Sequence, residues 1–236
     1  VGTIRQTGSK FGNVDSGKGH RIMVEYVSVN PTGPAHVGHI RGAVTGSALA
    51  NVLVAAGFDV TREYYINDAG NQMQLFYQSI FARYKEALGQ EAEVPEGGYQ
   101  GDYIIDLAKE IIDTEGSKFL EIDEEQALKE IGDIGREKMI ATIKDDLSTI
   151  GVEFDSWFSE RSLFASGEYE STIKSLQDND HLAERDGALW FNSVAMGDDK
   201  DNVVVKTGGE PTYFASDIAY HRNKFVVRGF DTVVDI

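Results

Sequence analysis

Two groups of residues have types and spacings that could do chemistry. The first is Ser28-Val29-Asn30-Pro31-Thr32-Gly33-Pro34-Ala35-His36-Val37-Gly38-His39-Ile40-Arg41. Two histidines three apart on the first turn of a helix share a face. Backbone N–H groups there lack intrahelical partners, and the helix dipole favours an anion. Pro31, Gly33 and Pro34 fix the backbone path into that turn, so a nucleotide phosphate is the expected guest. The second group is Glu210-Pro211-Thr212-Tyr213-Phe214-Ala215-Ser216-Asp217. A helix beginning near Thr212 puts Tyr213 and Asp217 four apart on one face. A carboxylate beside a phenol can grip a guanidinium, with paired N–H to oxygen bonds and a ring or hydroxyl contact. The plain alternative is a surface helix pair.

The surrounding pattern says what holds these groups. Ile22 to Val29 is apolar at nearly every position, as a central parallel strand covered on both faces requires. Glu25 is its exception and must either face a ligand crevice or be paired in the core. A helix follows over about 36–56, with Val37, Ile40, Val44, Ala48 and Val52 expected as its buried stripe and Gly57 as its stop. Val60 to Ile66 reads as a second strand. Asn67 or Asp68 then caps a helix whose stripe is Met73, Phe76, Ile80, Tyr84 and Ala87. Strand, turn, helix, twice in succession, predicts a doubly wound parallel sheet of Rossmann-like α/β class, with ligands outside the carboxyl ends of its strands.

Residues 1–20 read as an extended linker from an upstream segment, and 21–236 as the nucleotide-binding domain. Within it, helices over about 100–150 are expected to be scaffold, the longer one running from Glu124 to Ile150 with a capping pair at Asp123 and Gln126. Val152 to Phe158 predicts a third strand, Tyr169 to Gln177 a short helix opened by Ser166, and about 181–210 a small β insertion with hairpins. Thr232 to Ile236 predicts a fourth parallel strand, so the sheet is expected to be truncated before its last strand.

Composition sets bounds. With 236 residues, 41% of them apolar and 26% charged, this is an ordinary globular sequence. No apolar run approaches a membrane helix and no signal-peptide core is present, so a cytoplasmic protein without membrane association is expected. The absence of cysteine removes disulfides, thiolate zinc sites and cysteine nucleophiles. His36 and His39 also lack the spacing of a zinc helix, and no structural metal is expected. The net charge of −17 argues against nucleic-acid binding taken alone. Between Glu91 and Asp133, however, stand fourteen acids against three lysines, which reads as a solvated acidic face.

The extended run Val24-Glu25-Tyr26-Val27-Ser28-Val29-Asn30-Pro31-Thr32-Gly33-Pro34-Ala35-His36-Val37-Gly38-His39 resembles the first signature of class I aminoacyl-tRNA synthetases, and among them that of arginyl-tRNA synthetases. Three other stretches are similar to the same family. Asn67-Asp68-Ala69-Gly70-Asn71-Gln72-Met73 matches its segment after the second strand, Gly17-Lys18-Gly19-His20-Arg21 its basic entry segment, and Pro211 to His221 its arginine-pocket helix.

The resemblance implies ATP-dependent activation of L-arginine to arginyl-adenylate, then transfer to tRNA(Arg), with magnesium-bound ATP as substrate and a monomeric enzyme. By position, it implies that Ser28, Val29 and Asn30 hold the amino-acid head group, and that Tyr213 and Asp217 bind the guanidinium. His39 would lie between arginine and ATP, and His36 and Gly38 would bind the phosphates. The family's second signature, a Lys-Met-Ser-Lys-Ser type stretch, does not occur before Ile236, so the chain alone is expected to be inactive. Two other readings stay open: a nucleotidyltransferase of the related His-x-Gly-His superfamily, and a non-enzymatic arginine- or nucleotide-binding module.

Overall fold

A computed structural model describes residues 1–236. Ile22, Met23 and Val24 are buried, as the continuous apolar run requires, in strand β1 (Arg21–Glu25). The chain continues through α2 (Val37–Ala55), β2 (Asp59–Ile66), α3 (Asn71–Ala87), α4 (Asp102–Glu115), α5 (Glu124–Thr149) and β3 (Ser156–Ser159). Then come α6 (Glu160–Ala165), α7 (Glu168–Asp178), β4 (Leu182–Arg185), β5 (Ala188–Phe191), β6 (Asn202–Val205), α8 (Tyr213–Arg222) and β7 (Thr232–Asp235). A short helix, α1 (Gly2–Thr7), precedes all of these where extended chain is expected, and none of its residues is buried.

The first sheet has the order β3-β2-β1-β7, with β1 parallel to both β2 and β7. The chain thus moves outward from β1 on one side and returns to pair on the other, which is the doubly wound plan with its switch point between β1 and β7. The second sheet, β4-β5-β6, is antiparallel and coincides with the expected β insertion. No helix is long and apolar enough to cross a membrane.

The residues form two compact units. One holds Val1–Glu25, Ala50–Glu63 and Phe158–Asp235. The other holds Tyr26–Leu49 and Tyr64–Trp157. The core of the second is the packing of α3 on α4 and α5: Met73, Phe76, Ile80 and Tyr84 are buried as the helical period predicts, together with Ile104, Ile111, Ile131 and Ile143. Each such side chain contributes about 1.5–3 kcal/mol through burial. Gly132 lets α5 approach this closely, because a Cβ there would lie 2.3 Å from the Tyr77 ring. Ala87, read as the end of the α3 stripe, is exposed.

Several expectations are corrected. Strand β1 stops at Glu25 instead of Val29, because Val27 and Ser28 adopt φ of 70° and 41°. Left-handed backbone cannot continue a strand, and for a β-branched residue it is a strained state. Strand β3 lies later than expected, over Ser156–Ser159. The face of α2 is inverted: Val37, Val44, Ala48 and Val52 are exposed, while Ala43, Gly46 and Ala50 are buried. The reason is close packing, since a Cβ at Gly46 would sit 2.2 Å from the Tyr26 ring, leaving room only for small residues on that side. Neither Asn67 nor Asp68 caps α3, whose N-cap is Gly70 without a side-chain bond. Asp123 does cap α5, accepting from Glu125 and Gln126 N–H, but Gln126 turns its amide to Glu130 and closes no reciprocal box.

Candidate active site

The signature segment lies within the second unit, between the end of β1 and the first turn of α2. Its backbone is held from outside. Tyr64 Oη donates to the Val29 carbonyl at 3.0 Å, and Tyr65 N–H donates to Ser28 Oγ at 3.0 Å. The Asn30 amide nitrogen donates to the side-chain oxygen of Gln72, a residue of the Asn67–Met73 block. That block is itself anchored: Asp68, wholly buried, accepts from Arg136 Nη1 of α5 at 2.7 Å. The family-like stretch after β2 therefore does structural work on the signature, fixing the side chain of Asn30.

His36 and His39 come together as the spacing requires. Their rings stack with centroids 3.5 Å apart and 26° between planes. Gly38 N–H donates to His36 Nδ1 at 3.1 Å, and His36 N–H points at His39 Nδ1 at 3.3 Å. A ring nitrogen that accepts from a backbone N–H carries no proton, so each neutral imidazole has its hydrogen on Nε2. Two N–H donors then project from the start of α2, where the dipole already favours an anion. Desolvation and the neighbouring His36 hold the His39 pKa below the ordinary histidine value, which keeps that ring neutral at pH 7. Gly38 belongs to this geometry as well, since a Cβ there would lie 2.9 Å from the His36 ring.

Tyr213 and Asp217 belong to the first unit. Thr212 caps α8, and Tyr213 and Asp217 follow one turn apart on its exposed side, as the spacing predicts. Partial desolvation raises the Asp217 carboxyl above its ordinary value, opposed by His221 and Lys224 and reinforced by Asp235. A cationic ligand would reverse that direction.

The chain matches, over residues 3–236, the family model described as tRNA synthetases class I (R), catalytic domain. It belongs to that family. It is 51% identical to the arginine–tRNA ligase of Dehalococcoides mccartyi over 236 residues, all of this chain and 42% of that protein. It is 50% identical to the arginine–tRNA ligase of Syntrophotalea carbinolica over 233 residues, 99% of this chain and again 42% of that protein. A crystal structure assigned to arginyl-tRNA synthetase, from Campylobacter jejuni, superposes with a TM-score of 0.87 at 35% identity, covering 99% of this chain and 51% of that one. Thermus thermophilus arginyl-tRNA synthetase shares the fold, with a TM-score of 0.67 at 22% identity, over 91% of this chain and 37% of that one. The chain spans less than half the length of the curated relatives it matches.

This synthetase domain also contains a charged array that the sequence reading missed. Glu63, Glu25 and Asp235 are paired positions on the adjacent strands β2, β1 and β7. Three carboxylates in one row repel unless cations intervene. Tyr220, Lys224 and Arg228, each four residues from the next, supply the partners. Lys224, 1% exposed, donates to Glu25 at 2.6 Å and to Asp235 at 2.8 Å. Arg228 forms a two-pronged pair with Glu63, which also accepts from Tyr220 Oη. Glu25 is therefore paired, the second of the two alternatives its sequence position leaves. Burial, with Glu25 and Glu63 close by, pushes the Tyr220 phenol well above its ordinary value and keeps it a donor. The signal was present as an acid within each strand, Glu25, Glu63 and Asp235, and as the four-residue rhythm of Tyr220, Lys224 and Arg228. What the sequence could not supply was which acid meets which cation.

His221 extends this array, with Nε2 3.5 Å from Asp235 Oδ2. Asp235 holds the His221 pKa above its ordinary value, and His221 with Lys224 holds the Asp235 carboxyl down at about 2. The raised histidine contributes stability that is complete below about pH 6.5 and lost as pH rises through its folded pKa. The depressed aspartate contributes stability present above about pH 4 and lost as pH falls towards 2. The stability difference between wild type and His221→Gln is thus expected to be largest between those limits and to shrink on both sides. A urea-denaturation series over pH checks it, and an NMR titration placing His221 at or below 6.5 would contradict it.

Proposed function

We propose that the protein carrying this chain is an arginine–tRNA ligase that activates L-arginine with magnesium-bound ATP and transfers it to tRNA(Arg). The observation that carries this reading is the stacked His36–His39 pair at the start of α2, both Nε2–H groups available to an anion, in a chain that belongs to the arginyl class of catalytic domains. His36, Gly38 and the helix N-terminus would bind the ATP phosphates, with His39 between nucleotide and amino acid. Ser28, Val29 and Asn30 would hold the arginine head group. Asp217 would pair with the guanidinium and Tyr213 would lie against it.

In the step itself, the arginine carboxylate attacks the α-phosphorus. A new carboxyl-oxygen to phosphorus bond forms, the bond to the bridging oxygen breaks, and pyrophosphate leaves with its electron pair. Imidazole Nε2–H donors beside the α-phosphate would stabilise the charge that builds there, so catalysis rests on positioning and electrostatics, with no covalent enzyme intermediate. The protein would act as a cytoplasmic monomer.

Arginine-dependent exchange of pyrophosphate into ATP, measured in the whole protein with tRNA present, tests the reading. Exchange that does not depend on arginine would overturn it. The 236-residue chain by itself, lacking a second signature, is expected to give no tRNA charging in the parallel assay.

A further inference from the structure

The helical segment over 100–150 reads in the sequence as scaffold, yet one of its side chains reaches the signature. Tyr103, in the first turn of α4, donates its hydroxyl to the Thr32 carbonyl at 2.8 Å. Thr32 sits at the middle of the Pro31–Pro34 turn, four residues before His36, and is buried. That turn has little means of holding itself. Pro31 and Pro34 offer no N–H, and Thr32 N–H to the Asn30 carbonyl, at 2.8 Å, is a bond within the turn that fastens it to nothing else. The other supports act upstream, at Ser28, Val29 and Asn30. Gly33 adds a second contact, because a Cβ there would stand 3.3 Å from Tyr103 Oη. The tyrosine thus fills the space beside the turn as well as bonding to it. Burial raises its pKa to about 12, so the hydroxyl keeps its proton through the whole working range.

We infer that Tyr103 is a positioning residue for the reaction: through the Thr32 carbonyl it sets where the turn delivers His36 and His39. The hydroxyl touches no reacting atom in this scheme. Its effect is on the geometry of the step, where displacements well under 1 Å are expensive. The inference rests on the arginine-activating reading above, and one of its two readouts does not depend on that reading.

The test uses Tyr103→Phe, which keeps the ring and removes only the hydroxyl. In arginine-dependent pyrophosphate exchange by the whole protein, kcat is expected to fall about 10-fold, with KM for arginine unchanged within about twofold and the thermal midpoint lowered by no more than a few degrees. Gly33→Ala pushes on the same contact from the other side, so the double variant is expected to be no slower than Tyr103→Phe alone. In this chain, hydrogen exchange of the amides over 32–39 is expected to quicken in Tyr103→Phe while α3 and α5 stay as protected as in wild type. Unchanged kcat, or unchanged exchange over 32–39, would overturn the inference. So would a loss of activity matched by loss of folded protein, or full additivity of the two substitutions. Wild-type protein without arginine-dependent exchange would instead sink the functional reading, and the amide measurement would still decide whether Tyr103 holds the turn.

Discussion

Arg228→Met is expected to remove about 3–5 kcal/mol of folding stability, because it leaves the Glu63 carboxylate buried without its counter-charge. Glu63 is wholly inaccessible and Arg228 about a quarter exposed, so water cannot step in on the carboxylate side. The loss should exceed that of the double substitution Glu63→Gln with Arg228→Met, in which no charge is stranded. Urea denaturation of the three proteins measures the ordering. A single-variant cost below about 1 kcal/mol would mean that the pair behaves like a surface ion pair.

The second large effect concerns the proposed substrate. Asp217→Asn in the whole protein is expected to lower kcat/KM for arginine on the order of 100- to 1,000-fold, the usual cost of removing one partner of a hydrogen-bonded charge pair. The same change should bring arginine and citrulline towards equal affinity in a calorimetric titration, since citrulline keeps the shape of arginine without its charge. Retention of the wild-type preference for arginine in that variant would exclude Asp217 as the guanidinium's partner. Folding should be little affected, because Asp217 lies on the exposed side of α8.

Much of the architecture was legible because its signals are local. A strand buried on both faces, a 3.6-residue stripe through Met73, Phe76, Ile80 and Tyr84, and a hairpin-rich stretch after His181 each declare themselves within a dozen residues. The failures have a common physical origin. Helix α2 buries the face opposite to the expected one because large apolar residues advertise themselves and small ones do not: Ala43, Gly46 and Ala50 are its buried positions, and Gly46 packs against the Tyr26 ring. Asp68 looked like a cap because caps are written in adjacent residues. Its real partner, Arg136, stands 68 positions away. The ion pair between Glu63 and Arg228 spans 165 positions.

At the candidate site the same division holds. The histidine spacing and the Tyr213–Asp217 pair could be read from the chain, but the supports given by Gln72 and Tyr103 come from elements distant in sequence.

Between α8 and β7 the chain passes through a π-helical turn, Asn223–Val227, and it is across this turn that Lys224 and Arg228 keep their four-residue interval. Loss of one residue here would rotate everything beyond it by about 100° about the helix axis. Arg228 would then miss Glu63, and β7 would enter the sheet with its faces exchanged. Natural insertions and deletions among homologues should therefore be absent from 213–235, where the number of residues, as much as their identity, keeps the ion pairs in register.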